Sequence, residues 1–133
     1  METKRITGSF EVTLTPAGPG DAADGVTLGR MALTKRFVGE LEGTSQGEML
    51  SARTATAGSA GYVAIERVQG TLAGRAGTFV LQHMGVLNRG AQDLTITVVP
   101  DSGTGELVGL SGKMGIVIEG GKHGYVFDYS FGE

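Results

Sequence analysis

Apolar and polar side chains alternate with a period of two along much of the chain. The first such segment runs from Ile6 to Thr15, and the last and most regular runs from Tyr125 to Phe131. A period of two is typical of a β-strand that is buried on one face. No segment keeps the spacing of three and four residues that a long amphipathic helix requires, so the pattern predicts an all-β chain.

Shorter alternating segments recur between these two, around Leu33, Met49, Ile65, Leu81 and Ile116. The 24 glycines stand mostly singly between the segments, as the bends and bulges of a strongly curved sheet require. Strands at this spacing fit a sandwich or a barrel, and a closed barrel is favoured because it leaves no exposed strand edge. We therefore expect residues 1–133 to form a single domain, a closed antiparallel β-barrel of about eight strands.

Two segments interrupt the alternation. Residues 16–25 contain Pro16, Pro19 and several glycines, a composition typical of a loop. We expect a flexible surface loop there, with a cover over a barrel mouth as the alternative. Residues 100–112 are also rich in glycine, and one helical turn is expected between Glu106 and Leu110.

Composition excludes several classes of function. The chain has no cysteine, which excludes disulfides and thiolate chemistry. The net charge is −3 and the basic residues are scattered, so neither nucleic acid nor an anionic membrane surface is an expected partner. No long apolar run is present, and a cytoplasmic location is expected.

No cofactor and no metal are expected. The Gly103-Thr104-Gly105 stretch is not followed by the long helix of a dinucleotide-binding unit, and no P-loop or serine-elbow pattern occurs. His83 and His123 are the only two histidines, which does not indicate a histidine metal site.

One hairpin can be placed in register from its residues alone. Its strands are Tyr62–Leu72 and Thr78–Leu87. A glycine at the first of two turn positions is typical of a type II′ turn, which predicts Gly74–Arg75 as the tip. In that register Glu66 lies directly opposite His83 on an otherwise apolar face.

Glu66 and His83 are the candidate catalytic residues. An imidazole and a carboxylate in contact can act as a general base with its orienting partner. They can instead hydrogen-bond a ligand, or form a structural ion pair. A slip of one residue in the register would separate them.

Large side chains on the predicted inward faces are candidate ligand-binding residues, with core packing as the alternative. They are Tyr62, Phe79, Leu81, Tyr125, Phe127 and Tyr129. Arg53 and Arg67 also lie on predicted strands, where an anionic ligand can use them. Arg67 is expected on the outer surface because it alternates with Glu66.

The opposite face of the same hairpin is also apolar. If Glu66 points inward, then Val63, Ile65, Val80 and Val86 point outward. Outward apolar residues often mark contacts between subunits, so a homo-oligomer is expected.

The same hairpin resembles a known bacterial family. The stretches GYVAIERV (61–68) and FVLQH (79–83), together with FVGELE (37–42) and PDSGTGEL (100–107), resemble members of domain of unknown function 3224. The resemblance extends from about Thr7 to Tyr129.

That family is similar to the allene oxide cyclases, whose small calycin-like barrel surrounds a cavity that guides a cyclisation. The resemblance therefore implies a small apolar ligand. It leaves open an enzyme that isomerises or cyclises this ligand, a non-catalytic binding or carrier protein, and a structural homo-oligomer. Members often have histidine at the position of Val38 and a small polar residue at that of Met84, so this chain is expected to have a less polar cavity.

Overall fold

The chain folds almost entirely into antiparallel β-strands. The computed structural model describes residues 2–132. One 3-10 turn, Gly105–Leu107, lies where a helical turn was expected. The strands are β1 (Lys4–Pro16), β2 (Asp21–Ala23), β3 (Val26–Gly39), β4 (Leu41–Thr54), β5 (Ala60–Leu72), β6 (Arg75–Asn88), β7 (Ala91–Val98), β8 (Leu110–Glu119) and β9 (Lys122–Phe131).

Eight of these strands close into a ring. Each strand from β3 to β8 pairs with the next one in the chain. Strand β1 closes the ring, because residues 4–10 pair with β9 and residues 8–16 pair with β3. The short β2 pairs with β3 and lies outside the ring. The predicted closed antiparallel barrel is therefore confirmed.

Residues 16–25, expected to form a loop, contain this extra strand. Asp24 and Gly25, both with positive φ, form the tight turn from β2 into β3. The flexibility of the segment stays a prediction.

The predicted tip of the β5–β6 hairpin is wrong by one residue. Leu72 pairs with Arg75, so the turn consists of Ala73 and Gly74, whose φ angles are 48° and 86°. Two positive φ angles are characteristic of a type I′ turn, whose twist matches that of the flanking strands. Moving the tip by one residue changes the pairing by two, so every side chain keeps its predicted face.

Inward side chains fill the end of the barrel that lies near Gly39 and Ala73, which we call the closed end. Phe79 and Phe127 stack there with ring centroids 6.0 Å apart. Leu107 of the 3-10 turn adds a side chain that is 1% exposed. The wider core cluster includes Ile6, Phe10, Phe37, Leu41, Val68, Leu72, Leu81, Ile96, Val98, Leu110, Met114, Tyr125 and Tyr129.

Glycines allow β4 and β5 to approach closely. Gly43 lies opposite Gly70, and Gly47 lies opposite Glu66. A Cβ atom on Gly43, Gly47 or Gly70 would overlap the backbone of the facing strand. The missing side chains therefore permit the sharp curvature that barrel closure needs.

The seam between β7 and β8 is short. Among the described residues, Ile96–Met114 and Thr97–Lys113 are the pairs that cross it. The connection between the two strands instead packs over β6. There the Thr104 N–H donates to the Thr78 carbonyl at 2.8 Å, and the Thr78 N–H donates to Thr104 Oγ1 at 3.1 Å.

Candidate functional site

A pocket opens at the end of the barrel opposite the closed end. Its volume is about 410 Å³, which is within the usual range for small-molecule sites. It is formed by the last residues of β1, β4 and β6 and the first residues of β3, β5 and β7. We call it the mouth pocket, and its lining includes Arg30, Met31, Met49, Ser51, Arg53, Tyr62, Leu87 and Gln92.

The lining of the mouth pocket is mainly apolar. Met31, Met49, Tyr62 and Leu87 supply large apolar surfaces, and a few polar groups lie among them. No Asp or Glu is among the described residues that line the pocket. A concave apolar surface with few polar groups is the usual composition of a small-molecule site.

A cluster of charged and polar side chains is buried deeper in the barrel. Glu66 has no exposed surface, and its carboxylate accepts hydrogen bonds from Lys35 Nζ at 2.9 Å and Ser45 Oγ at 2.8 Å. His83 Nε2 lies 2.5 Å from Glu66 Oε2. We call Lys35, Ser45, Glu66 and His83 the buried ion cluster.

Glu66 and His83 meet in a different way from the one predicted. Glu66 lies opposite Leu81, and His83 lies opposite Ala64. The two residues are therefore diagonal neighbours on one face, a distance that long side chains can bridge. They are in contact despite the wrong register because the two-residue correction keeps both of them on the inward face.

The partners of Glu66 stabilise its charge. Burial alone raises the pKa of a carboxyl group, but the hydrogen bonds from His83 and Lys35 and the positive charge of Lys35 outweigh it and lower the pKa of Glu66 to about 2. Glu66 is therefore ionised at neutral pH. Lys35 Nζ also lies 5.0 Å from the centre of the Phe10 ring and 5.8 Å from that of Phe37, which adds cation–π attraction.

The sequence interpretation missed Lys35 and Ser45. Lys35 has the same parity on β3 as Leu33 and Phe37, and Ser45 has the same parity on β4 as Leu41. Alternation therefore placed both side chains on the inward face. A polar residue at an inward position was the available signal, because buried polar groups need partners.

Tyr62 connects the mouth pocket with the buried ion cluster. Tyr62 lines the pocket, and the centre of its ring lies 6.5 Å from that of His83. Burial and, to a smaller extent, the charge of Glu66 raise the pKa of Tyr62. The four cluster residues are not among the residues that line the pocket.

The other predicted ligand-binding residues lie in the packed core. Each is at most 3% exposed, and none belongs to the described lining of the mouth pocket. They are Phe79, Leu81, Tyr125, Phe127 and Tyr129. The structure thus brings Tyr62 to the pocket and brings Glu66 and His83 together, while the catalytic and ligand-binding roles stay predictions.

The hydroxyl of Tyr125 illustrates how a core tyrosine is satisfied. It accepts a hydrogen bond from the Leu41 N–H and donates to the Leu41 carbonyl, both at 3.0 Å. Burial raises the pKa of Tyr125, although the hydrogen bond with Leu41 opposes this. Tyr125 therefore holds the start of β4 against β9.

Several residues of interest lie on the outer surface. Val38 and Met84 are 48% and 57% exposed, so the expectation that they make the cavity less polar is wrong: neither lies in the interior. Arg67 is exposed, as expected. Of the four valine and isoleucine residues expected outside, Val63, Ile65 and Val86 are about half exposed and Val80 is part-buried.

The fold and the pocket together define an antiparallel barrel. One end holds a pocket of the size that suits a small molecule, and the other end is filled with side chains. The model of a family described as a protein of unknown function, DUF3224, matches residues 6–129. The chain therefore belongs to the DUF3224 family. No curated protein matches it.

A solved structure of this family has the same fold. It is the crystal structure of a protein with unknown function from the DUF3224 family of Shewanella oneidensis MR-1, with 56% sequence identity, 99% of each chain covered and a TM-score of 0.96. The similarity to allene oxide cyclases stays a prediction.

Residues 2–132 contain neither a metal-binding cluster nor a membrane-spanning helix. No group of three or more His, Cys, Asp or Glu side chains is placed to hold a metal ion. No helix in this range is long and apolar enough to cross a membrane.

Proposed function

We propose that this protein binds a small, largely apolar molecule in the mouth pocket. The observation that carries the proposal is the pocket itself, with about 410 Å³ of space among apolar side chains at the one unfilled end of the described barrel. Eight-stranded barrels have room for one small ligand. Binding is favoured over turnover because none of the four residues of the buried ion cluster lines the pocket.

The test uses N-phenyl-1-naphthylamine, a neutral fluorophore that brightens in apolar surroundings. We expect saturable binding to the wild type. Ser51→Phe fills the pocket from β4 and should weaken binding by about tenfold or more, a loss of about 1.4 kcal/mol. Gln46→Phe, on the outer face of the same strand, is the matched control and should bind as the wild type does.

Leu87→Phe fills the same pocket from β6 and replaces Ser51→Phe if that variant does not fold. The proposal fails if binding to the wild type does not saturate. It also fails if a folded filling variant binds the fluorophore as well as Gln46→Phe does.

A second candidate is that the bound molecule is isomerised or cyclised, with Glu66 and His83 as positioning residues for Tyr62. The contact between the Tyr62 and His83 rings favours it. Compounds that displace the fluorophore would be incubated with the protein and separated by chromatography. New isomers that form with the wild type but not with Tyr62→Phe would support an enzyme, and unchanged compounds would identify a carrier.

We also propose that two copies of the chain associate through the outer surface of β4, β5 and β6. Leu50, Val63 and Met84 are direct cross-strand neighbours on this surface, and they are 54%, 49% and 57% exposed. Ile65 and Val86 extend the apolar area. We call these five residues the outer apolar patch, and a patch of this kind is a common subunit contact.

Charges at the borders of the outer apolar patch favour a two-fold arrangement. Arg30 borders Leu50 on one side, and Asp93 borders Val86 on the other. A two-fold axis that lies in the interface, at right angles to the line from Arg30 to Asp93, places Arg30 of one copy near Asp93 of the second. Arg30 also lies 3.5 Å from Glu48 of its own chain, so the second carboxylate would add to this existing contact. Electrostatic complementarity of this kind also sets the orientation of the partners.

Light scattering at micromolar concentration should give the mass of a dimer. Met84→Lys places a charge at the centre of the patch and should give a monomer. Gln69→Lys adds the same charge on the outer face of β5 away from the patch and should remain a dimer. A monomeric wild type contradicts this assembly.

A further inference from the structure

We propose that the molecule held in the mouth pocket carries an anionic headgroup, which the guanidinium of Arg53 binds. This inference rests on the proposed function and adds the chemical class of the ligand, an apolar body with one carboxylate-like end. It follows from the position of Arg53, the charges around it and the apolar surfaces beside it.

Arg53 lies at the rim of the mouth pocket. It follows Met49 and Ser51 at alternate positions of β4, and all three residues line the pocket. Its cross-strand neighbours, Thr27 on β3 and Ala60 on β5, line the pocket as well. Arg53 is exposed at this rim, so a headgroup can reach it from solvent while the body of the ligand enters the barrel.

The charge of Arg53 has no partner within the described chain. Two arginines line the pocket, and no Asp or Glu is among the described lining residues. Arg30 is engaged, because its guanidinium donates to the Ala17 carbonyl at 2.8 Å and lies 3.5 Å from the Glu48 carboxylate. Arg53 forms neither an ion pair nor a side-chain hydrogen bond among residues 2–132.

The surroundings of Arg53 define an amphipathic ligand. A guanidinium offers five N–H donors in a planar fork, which fits a carboxylate through two parallel hydrogen bonds. Met49 and Tyr62 form apolar surface deeper in the same pocket. An apolar body therefore packs on these side chains, and an anionic end at the rim meets the only described cation without a partner there.

The experiment compares decanoate with 1-decanol as competitors for bound N-phenyl-1-naphthylamine. The two compounds have the same apolar chain and differ in the charge of the head. We expect the wild type to bind decanoate more tightly than 1-decanol. Arg53→Gln should lower the affinity for decanoate by about tenfold, as expected for the loss of a charge-assisted hydrogen bond. The affinity of this variant for 1-decanol should equal that of the wild type.

Arg67→Gln is the matched control. It removes the same charge from an exposed position on the outer face of β5, so a general effect of net charge would appear in both variants. We expect Arg67→Gln to bind both competitors as the wild type does. Arg53→Lys should recover only part of the decanoate affinity, because a lysine cannot form the paired hydrogen bonds.

The outcomes separate the two proposals. If the fluorophore does not bind saturably, the proposed function fails. The headgroup inference is wrong if the fluorophore binds but decanoate and 1-decanol compete with it equally well. It is also wrong if Arg53→Gln and Arg67→Gln lower the affinity for decanoate equally. In either case the pocket remains a site for neutral molecules.

Discussion

The carboxylate of Glu66 is held in the middle of the barrel without any exposed surface. Removing an ion from water costs several kcal/mol, and a buried pair recovers this cost only when its geometry and its other hydrogen bonds are favourable. Lys35, Ser45 and His83 provide these contacts. The cluster is therefore stable only as a set, because loss of the charge on Lys35 or Glu66 leaves its partner's charge buried without a counter-charge.

Glu66→Gln should therefore lower the free energy of unfolding by about 3–5 kcal/mol, the usual effect of breaking a buried ion pair. The double variant Lys35→Met/Glu66→Gln removes both charges and should recover a large part of this loss. Urea denaturation measures both values, and Glu42→Gln at an exposed position of the same sheet is the control. Equal stability of Glu66→Gln and Glu42→Gln would show that the ion pair contributes nothing.

The pH dependence of stability follows from the same carboxylate. The pKa of Glu66 is lowered in the folded state from 4.5 to about 2, so the folded state binds its proton less readily than the unfolded state does. This stabilisation is present above pH 4.5 and is lost as the pH falls towards 2, and it amounts to roughly 3 kcal/mol.

Urea denaturation between pH 5 and pH 2 checks this dependence. The double variant Lys35→Met/Glu66→Gln lacks the titrating group, so its stability should fall by roughly 3 kcal/mol less than that of the wild type over this range. If the free energy of unfolding falls equally with pH in the two proteins, the pH dependence does not come from Glu66.

At this scale the sequence predicted the contact between Glu66 and His83 but not the full cluster. Both residues belong to one hairpin, so parity alone places them on a shared face. Lys35 lies on β3, which is separated from β5 by β4. Its contact with Glu66 depends on the curvature of three strands, and no pattern within a single hairpin contains that information.

At the scale of single turns and strands, the sequence again predicted only part of the structure. The strand positions follow from alternation, but the β5–β6 turn does not follow from its glycine. Ala73 takes a positive φ of 48° at a position where glycine or asparagine is favoured. Its N–H donates to the Glu40 carbonyl at 2.8 Å, a contact with another part of the chain that local turn preferences do not describe.

Ala73→Asn should raise the free energy of unfolding by about 0.5–1 kcal/mol, since asparagine tolerates the left-handed region and Asn-Gly is the preferred type I′ pair. Thermal denaturation measures the change. Ala76→Asn on the adjacent strand, where φ is not positive, is the control and should give no gain. A destabilised Ala73→Asn would argue against the type I′ turn.

The tight contact of β4 with β5 gives a prediction for one glycine. Gly47→Ala adds a Cβ that overlaps the backbone at Ile65 and Glu66, and should cost roughly 1–3 kcal/mol, as overpacking does. Gly115→Ala on β8 is the control, because its Cβ would come no nearer than 4.0 Å to the Val126 carbonyl. Equal melting temperatures of the two variants would contradict the close approach.

At the scale of the whole molecule, the β7–β8 seam has the fewest residue pairs of all the pairings in the described ring. Residues 115–119 of β8 pair with β9 but not with β7. Backbone amides on that side should exchange with solvent faster than those of residues 63–68 in β5, which pair on both sides. Hydrogen exchange followed by mass spectrometry measures this, and equal protection of the two segments would show that the seam is closed in solution.

The barrel was predictable at this scale, whereas the place of its pocket was not. Alternation, scattered glycines and the resemblance to the family all indicate a closed sheet. The pocket lies at one mouth because Leu107 and its neighbours fill the other end. Which end a connecting segment covers depends on its path across the barrel, here the contacts of Thr104 with β6, and this path is not encoded in a periodic pattern.

The closing strand β1 also has a consequence for biosynthesis. The ring strands from β3 onward pair with their neighbours in the chain, so their hairpins can form as they leave the ribosome. The contact of β1 with β9 is different, since its Arg5–Asp128 ion pair joins residues 123 positions apart. Until β9 has been synthesised, β1 lacks one of its two partners and the nascent barrel keeps an open edge, a state in which aggregation competes with folding.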